Sequence, residues 1–320
     1  MDLYNIYDII TTYDDFMFSD NIAIPQSLSI NNYLNCKDND DILKCLHLQK
    51  PDRENKELEN IYIFTFNRGK QSGGNYFHFH FHYLQRLLGF LDIEDKTVKL
   101  GIPLNMLSFQ KSIIQKIIPE ENIIYLDIYK YNYIIKKCYV GNYISTHNIP
   151  DVLVDIYNNI GNKYIINNNL LLNNNNNIFI KRNNTNNAGQ NRYIINHEEY
   201  NRLIEAYNFK TYSFEDYDLE NKVIELINLQ PKIIIIEIGS GLTNLLFFPK
   251  EFLQKIKFII IDQHNWFLKK SRIYDIILKL DLDHEIITCI NKIDNPTDLQ
   301  NNPFIVNLDL LDNMLNKLTI

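Results

Sequence analysis

Residues 233–247 read Ile233-Ile234-Ile235-Ile236-Glu237-Ile238-Gly239-Ser240-Gly241-Leu242-Thr243-Asn244-Leu245-Leu246-Phe247. An isoleucine run without alternation suits a strand buried on both faces, which means a parallel sheet covered by helices. The run ends in Gly-x-Gly and passes into an apolar, helix-like segment. Such a junction lets backbone N–H groups and the positive end of a helix approach an anion, so a phosphate-bearing ligand is one reading. The other is a tight turn that needs glycine for geometry alone.

Composition shows why those glycines carry weight. The 320 residues, enough for two ordinary domains, include 51 Ile and 45 Asn but only 3 Ala, 10 Gly and 7 Arg against 25 Lys. Ile, Asn and Lys share AT-rich codons, so the bias reports a genome, and the disfavoured Gly and Arg become markers. The formal charge of −7, with both signs interspersed, excludes a general nucleic-acid binder, which needs a basic face to displace counterions. Cys36, Cys45, Cys138 and Cys289 show no CxxC spacing and read as reduced cytosolic thiols. The N-terminus has no basic start followed by an apolar run, and no window reaches about 18 uninterrupted apolar residues. The expectation is a soluble, cytoplasmic protein (host cytoplasm if the source is viral), without an integral membrane segment and with oligomerisation left open.

Asn-rich stretches at 167–169, 173–177 and 183–187 favour turns and place a boundary near 160–178. Both sides alternate strand and helix. Strands are expected at 61–66, 98–102, 123–126, 178–180, 210–212, 233–236 and 258–261, and helices at 83–91, 107–118, 150–160, 198–207 and 219–229. Two α/β domains follow, 1–165 and 166–320, with the last helix free to pack back on the first.

Two further constellations carry chemistry. In Gly73-Gly74-Asn75-Tyr76-Phe77-His78-Phe79-His80-Phe81-His82-Tyr83, alternate histidines on a strand would suggest a metal site. The leucines at 84, 87, 88 and 91 favour a helix, on which His78 and His82 share a face and His80 turns away. No carboxylate or cysteine stands near to complete a metal sphere, so one histidine as general base is the better functional reading. Arg182 and Arg192, at the ends of short apolar segments upstream of the Gly loop, suit anion recognition. Asn196 with Glu199 reads as a helix cap. Asp262, about twenty residues beyond the Gly loop, mimics the ribose-binding acid of a methyltransferase or dinucleotide fold. That fold places its loop after the first strand, however, and this loop falls late in its domain.

Taken in order, these segments resemble glycosyltransferase family 61, also called DUF563. The family carries Asn-Tyr-Tyr/Phe-His-Trp with Arg-Leu eight residues after the His; Asn75-Tyr76-Phe77-His78-Phe79 and Arg86-Leu87 keep that spacing. A strand ending in Arg and then Arg-x-Ile-x-Asn-x-Glu are matched by Arg182 and by Arg192, Ile194, Asn196 and Glu198, and a Glu before a helix by Glu215. The last signature, His-Gly-Ala/Ser-Gly-Leu-x-Asn-x-x-Phe, is matched from Gly239 to Phe247, with Ile238 where the family has His and His82 where it has an acid.

The resemblance implies two Rossmann-like domains facing across a cleft, the GT-B arrangement. It implies an inverting, metal-independent transferase moving a hexose, N-acetylhexosamine or pentose from a nucleoside diphosphate, UDP above all, to a glycan or protein hydroxyl. No cofactor is expected beyond the UDP-sugar donor substrate. His82 and His78 are the catalytic candidates; Arg182, Arg192, Asn196, Glu215, Gly239, Ser240, Gly241, Leu242, Thr243 and Asn244 bind donor; Asn75, Tyr76 and Arg86 lie on the acceptor side. Asp281-Leu282-Asp283, the one Asp-x-Asp considered for a metal, reads as part of a solvated helix. The alternatives are an S-adenosylmethionine-dependent methyltransferase and a degenerate transferase kept as a binding module.

Overall fold

Apolar runs without alternation become parallel strands in both halves of the chain. The computed structural model describes residues 3–11, 17–19, 22–23, 54–64, 76–127, 130–141, 149–167, 176–181, 194–216, 218–262, 272–291 and 303–319. By packing, the chain divides into two units, Met1–Thr146 and His147–Ile320.

The first unit holds β1 (Leu3–Thr11), β2 (Met17–Ser19), β3 (Ile22–Ala23), β4 (Glu54–Ile63), β5 (Lys99–Pro103), β6 (Ile123–Leu126) and β7 (Tyr131–Gly141) in the order β3-β2-β1-β7-β4-β5-β6. The block β7-β4-β5-β6 is parallel, and β1 to β3 extend it antiparallel. Ile61, Ile63, Leu126, Tyr133, Ile135 and Cys138 form a buried cluster on it. Between β4 and β5 runs a helical stretch made of α1 (Tyr76–His78), a π turn (Phe79–Tyr83), a 3-10 turn (Leu84–Arg86) and α2 (Leu87–Leu91). Between β5 and β6 lies α3 (Ser108–Ile117).

The second unit begins with α4 (Asp151–Asn167), then β8 (Asn177–Ile180), α5 (His197–Ala206), β9 (Phe209–Tyr212), α6 (Leu219–Leu229) and β10 (Ile233–Glu237). A 3-10 helix (Ser240–Phe247), α7 (Lys250–Leu253), β11 (Lys257–Asp262), α8 (Arg272–Leu280), β12 (Asp283–Thr288), the small pair β13 (Ile290–Asn291) and β14 (Phe304–Ile305), and α9 (Leu308–Thr319) complete it. The sheet order is β12-β11-β10-β8-β9, with every neighbour parallel. Counted within the unit this is 2-1-3-4-5, a doubly wound sheet. On one face Phe179, Ile233, Ile235, Ile259, Ile261 and Ile287 pack with Tyr200 and Ile204 of α5 and Leu311 and Leu315 of α9. The alternate residues Ile234, Ile236, Phe258 and Ile260 are equally buried, as strands covered on both faces require. No helix among the described residues is long and apolar enough to cross a membrane.

Three expectations meet a different structure. The division falls at Thr146/His147, and α4, assigned by sequence to a domain ending at 165, joins the second unit because it packs on α6 and the 3-10 helix. The Asn-rich run therefore lies inside that unit, between α4 and β8. The last helix, α9, packs on α5 of its own unit. The segment Asp281-Leu282-Asp283 is not helical: α8 stops at Leu280, Asp281 turns at φ 52°, and Asp283 opens β12, bonded to Lys257 at 2.7 Å.

One glycine is required by packing. Gly161 lies mid-helix in α4, where the position of a Cβ is occupied by the Phe247 carbonyl oxygen and lies 2.8 Å from its carbon. Helix propensity alone would make Gly161→Ala stabilising by about 1 kcal/mol. Overpacking against backbone that cannot move aside reverses the sign, and thermal denaturation should show a net loss of about 2 kcal/mol. An unchanged or raised Tm would remove this contact from the account of the fold.

Candidate functional site

In a doubly wound sheet, ligands bind outside the carboxyl ends of the strands where the strand order reverses. Here that point lies between β8 and β10, the first and third strands, whose registers pair Ile180 with Ile236. The chain leaving β8 carries Lys181 and then Arg182; the chain leaving β10 carries Glu237, Ile238 and the Gly loop. The carboxyl end of β9, beside β8, leads through Ser213 to Glu215. Topology thus gathers three of the sequence's donor-binding segments at one edge. Arg182 and Arg192 lie outside the described residues.

Ile238 is buried and its N–H bonds the Ile261 carbonyl at 2.9 Å, so the residue standing where the family has His extends the strand into the core. Gly239 is extended, at φ 164°. The first bond of the following turn is Leu242 N–H to the Gly239 carbonyl, 3.1 Å, so the N–H groups of Ser240 and Gly241 precede it. Asn244 stiffens the turn by donating from Nδ2 to the Gly241 carbonyl at 3.0 Å.

Two features here point to a ligand. A Cβ built on Gly241 would meet nothing closer than Phe214 Cδ2 at 3.9 Å, so the protein's own packing leaves room there. Thr243 is fully buried and its hydroxyl oxygen has no hydrogen-bond partner. In a 3-10 helix residues three apart eclipse, which puts Thr243 directly behind Ser240 on the loop side. A buried unsatisfied hydroxyl is costly to keep, and a ligand oxygen would satisfy it.

Glu215 is exposed and held by Ser213, whose Oγ donates to Oε2 at 2.7 Å. Asn196 serves another purpose: its Nδ2 donates to the Val306 carbonyl at 2.9 Å and its Oδ1 accepts the Val306 N–H at 3.0 Å. It makes no side-chain cap on α5, so the expected capping box is not formed. The amide instead ties α5 to the segment between β14 and α9.

Sequence reading passed over a buried group at the same sheet edge. Tyr200, on the first turn of α5, is fully buried with an unpartnered hydroxyl, and burial, aided by Glu237 and Cys289, pushes its phenol well above the ordinary range. Burial likewise raises the Cys289 thiol, with Asp262 and Glu237 adding to it, so this cysteine is no nucleophile. Asp262, set aside as a decoy, is completely buried at the end of β11. Only the positions of Glu237 and Asp262 at strand ends could have flagged them.

In the first unit the histidine segment is helical, as the leucine spacing predicts. A π turn through residues 79–83 departs from the plain helix expected, and such turns recur at functional sites. His80 is buried, its ring 4.4 Å from that of Tyr76 and set edge-on to Phe79. Tyr76 also packs on Phe109 of α3 at 5.2 Å. His78 and His82 stand four residues apart on the same backbone segment; their side chains, and Asn75, lie outside the described residues. Arg86 is 2% exposed, its guanidinium 5.9 Å from the Tyr83 ring centre and its carbonyl accepting the Tyr62 hydroxyl. This arginine anchors the helical stretch to β4 and offers little surface to an acceptor.

The model of the family described as Glycosyltransferase 61 matches residues 76–254, more than half of the chain. The match opens on Tyr76, the first residue of the histidine helix, and runs past the Gly loop and its 3-10 helix. No curated protein matches the chain. The histidine segment and the Gly loop at the switch point are thus parts of one family pattern, and the chain belongs to glycosyltransferase family 61, whose members transfer sugars.

Proposed function

We propose that the second unit binds a nucleoside diphosphate sugar, UDP-linked, at the carboxyl ends of β8 and β10, and that the first unit presents an acceptor hydroxyl of a glycan or protein. The observation that carries this reading is the unsatisfied, buried Thr243 hydroxyl behind a Gly loop at the switch point of a doubly wound sheet. The two α/β units fit a GT-B arrangement.

Transfer is written as a single inverting displacement. His82, with His78 as the alternative, takes the proton of the acceptor hydroxyl; the acceptor oxygen bonds to the anomeric carbon as the bond from that carbon to the phosphate oxygen breaks. Charge collects on the departing diphosphate, and fixed donors aimed at it are the largest source of rate. Arg182, Arg192 and the N–H groups of Ser240 and Gly241 are the donors in this scheme, which needs no metal. Glu215 suits the ribose hydroxyls, since a carboxylate accepts two hydrogen bonds.

Thermal melting should rise with UDP or a UDP-sugar. A flat response across a nucleotide panel overturns the donor assignment, and saturable binding of S-adenosylmethionine instead establishes a methyltransferase. Arg182→Ala should abolish the UDP shift, whereas His82→Ala should keep it and remove turnover as read by diphosphate release. Normal binding and turnover in both variants would refute these roles; binding without turnover in the wild type would identify a binding module.

The loop makes a sharper demand. Gly241→Ala and Thr243→Val should each leave the Tm of the ligand-free protein unchanged or raised, because one fills open space and the other removes an unsatisfied hydroxyl. Each should weaken UDP binding about tenfold, equivalent to about 1.4 kcal/mol, by calorimetric titration. Unaltered affinity in both would show that the ligand sits elsewhere.

A further inference from the structure

The 3-10 helix that carries the Gly loop is eight residues long, and runs beyond three or four are uncommon because the hydrogen-bond geometry is poor. Its shape must be imposed by neighbours. At its far end the Leu246 carbonyl would accept from the N–H of residue 249, three positions on, but that residue is Pro249 and has none. The donor comes from another helix: Asn158 of α4 gives one Nδ2 hydrogen to Leu246 O at 3.2 Å and the other to Val154 O at 3.0 Å. Around this bond the Tyr157 ring stands edge-on to Phe247 at 4.8 Å, and Gly161 leaves room for the Phe247 carbonyl.

We propose that Asn158 is a positioning residue for the donor loop, capping the 3-10 helix from α4 so that the N–H groups at Ser240 and Gly241 are held in the orientation that receives the diphosphate. The inference rests on the donor site proposed above. The cap acts at the end of the helix away from the ligand, at a distance of about 12 Å for six residues at 2.0 Å each, so Asn158 itself touches no substrate. Its effect passes through a short rigid element, which α4 grips on the side of the helix opposite to solvent. Sequence spacing could not show it, because Asn158 stands among the abundant asparagines of this chain and nothing local distinguishes it.

The test compares Asn158→Ala and the milder Asn158→Ser, whose hydroxyl is too short to reach Leu246, with Asn159→Ala at an exposed position of the same helix. UDP affinity is measured by titration calorimetry well below every Tm, with amide hydrogen exchange across residues 240–247. Loss of one net hydrogen bond predicts about fivefold weaker UDP binding and faster exchange in both Asn158 variants, with Asn159→Ala unchanged. A lowered Tm with wild-type UDP affinity in either Asn158 variant overturns the proposal, since a merely structural bond would move stability alone. Equal weakening in Asn159→Ala also overturns it. If the wild type binds no UDP at all, the donor reading falls and this inference with it.

Discussion

The second unit depends on the pairing of β10 with β8 on one side and β11 on the other. Ile234 to Ile236 bond both neighbours in parallel register and are buried on both faces of the sheet. Burial of that strand is the chief hydrophobic gain of the unit, and it fixes where the chain must turn. At its carboxyl end the next residue to keep strand geometry is Ile238, and everything after it is constrained to climb over the sheet edge through Gly239 and Gly241. Because β8 ends beside it, the segments leaving both strands converge at one place. Strand pairing in the core therefore produces the site, with no separate device needed to assemble it.

Two glycines in this unit show opposite physics. Gly161 is forced by the protein on itself: the backbone of Phe247 occupies the space a side chain would fill, and α4 could not otherwise approach the 3-10 helix. Gly241 is free of any such demand, since its Cβ position is open. A scarce residue retained where packing does not require it points outward, to a bound molecule. The same contrast separates Asn196 and Asn158, whose amides are spent on backbone groups of distant segments, from Thr243, whose buried hydroxyl is satisfied by nothing in the chain.

Much of the core was legible because parallel strands advertise themselves. Ile123 to Leu126, Ile178 to Ile180 and Ile233 to Ile236 lie within a residue of the observed elements, and α6 coincides with its expected span from Leu219 to Leu229. The elements that escaped notice have mixed patterns: β7 intersperses lysines and tyrosines, and β12 opens on Asp283-His284-Glu285, an edge strand with one side in water. The division between units was misplaced for a related reason. Asparagine runs mark poor regular structure, but they do not say whether the chain is leaving a domain or passing between a helix and a strand within one.

By itself the sequence determined the local order of strand, glycine turn and helix, and the family to which that order belongs, because burial on both faces and the need for close backbone approach are written into consecutive residues. Tertiary structure alone decided which strands flank β10, that α4 belongs with the sheet that follows it, and that Pro249 leaves a carbonyl for Asn158 to cap. Those outcomes rest on contacts between residues far apart in the chain, Asn158 with Leu246, Gly161 with Phe247 and Asn196 with Val306. No periodicity encodes such pairs, since each exists only once the hydrophobic core has brought its partners together.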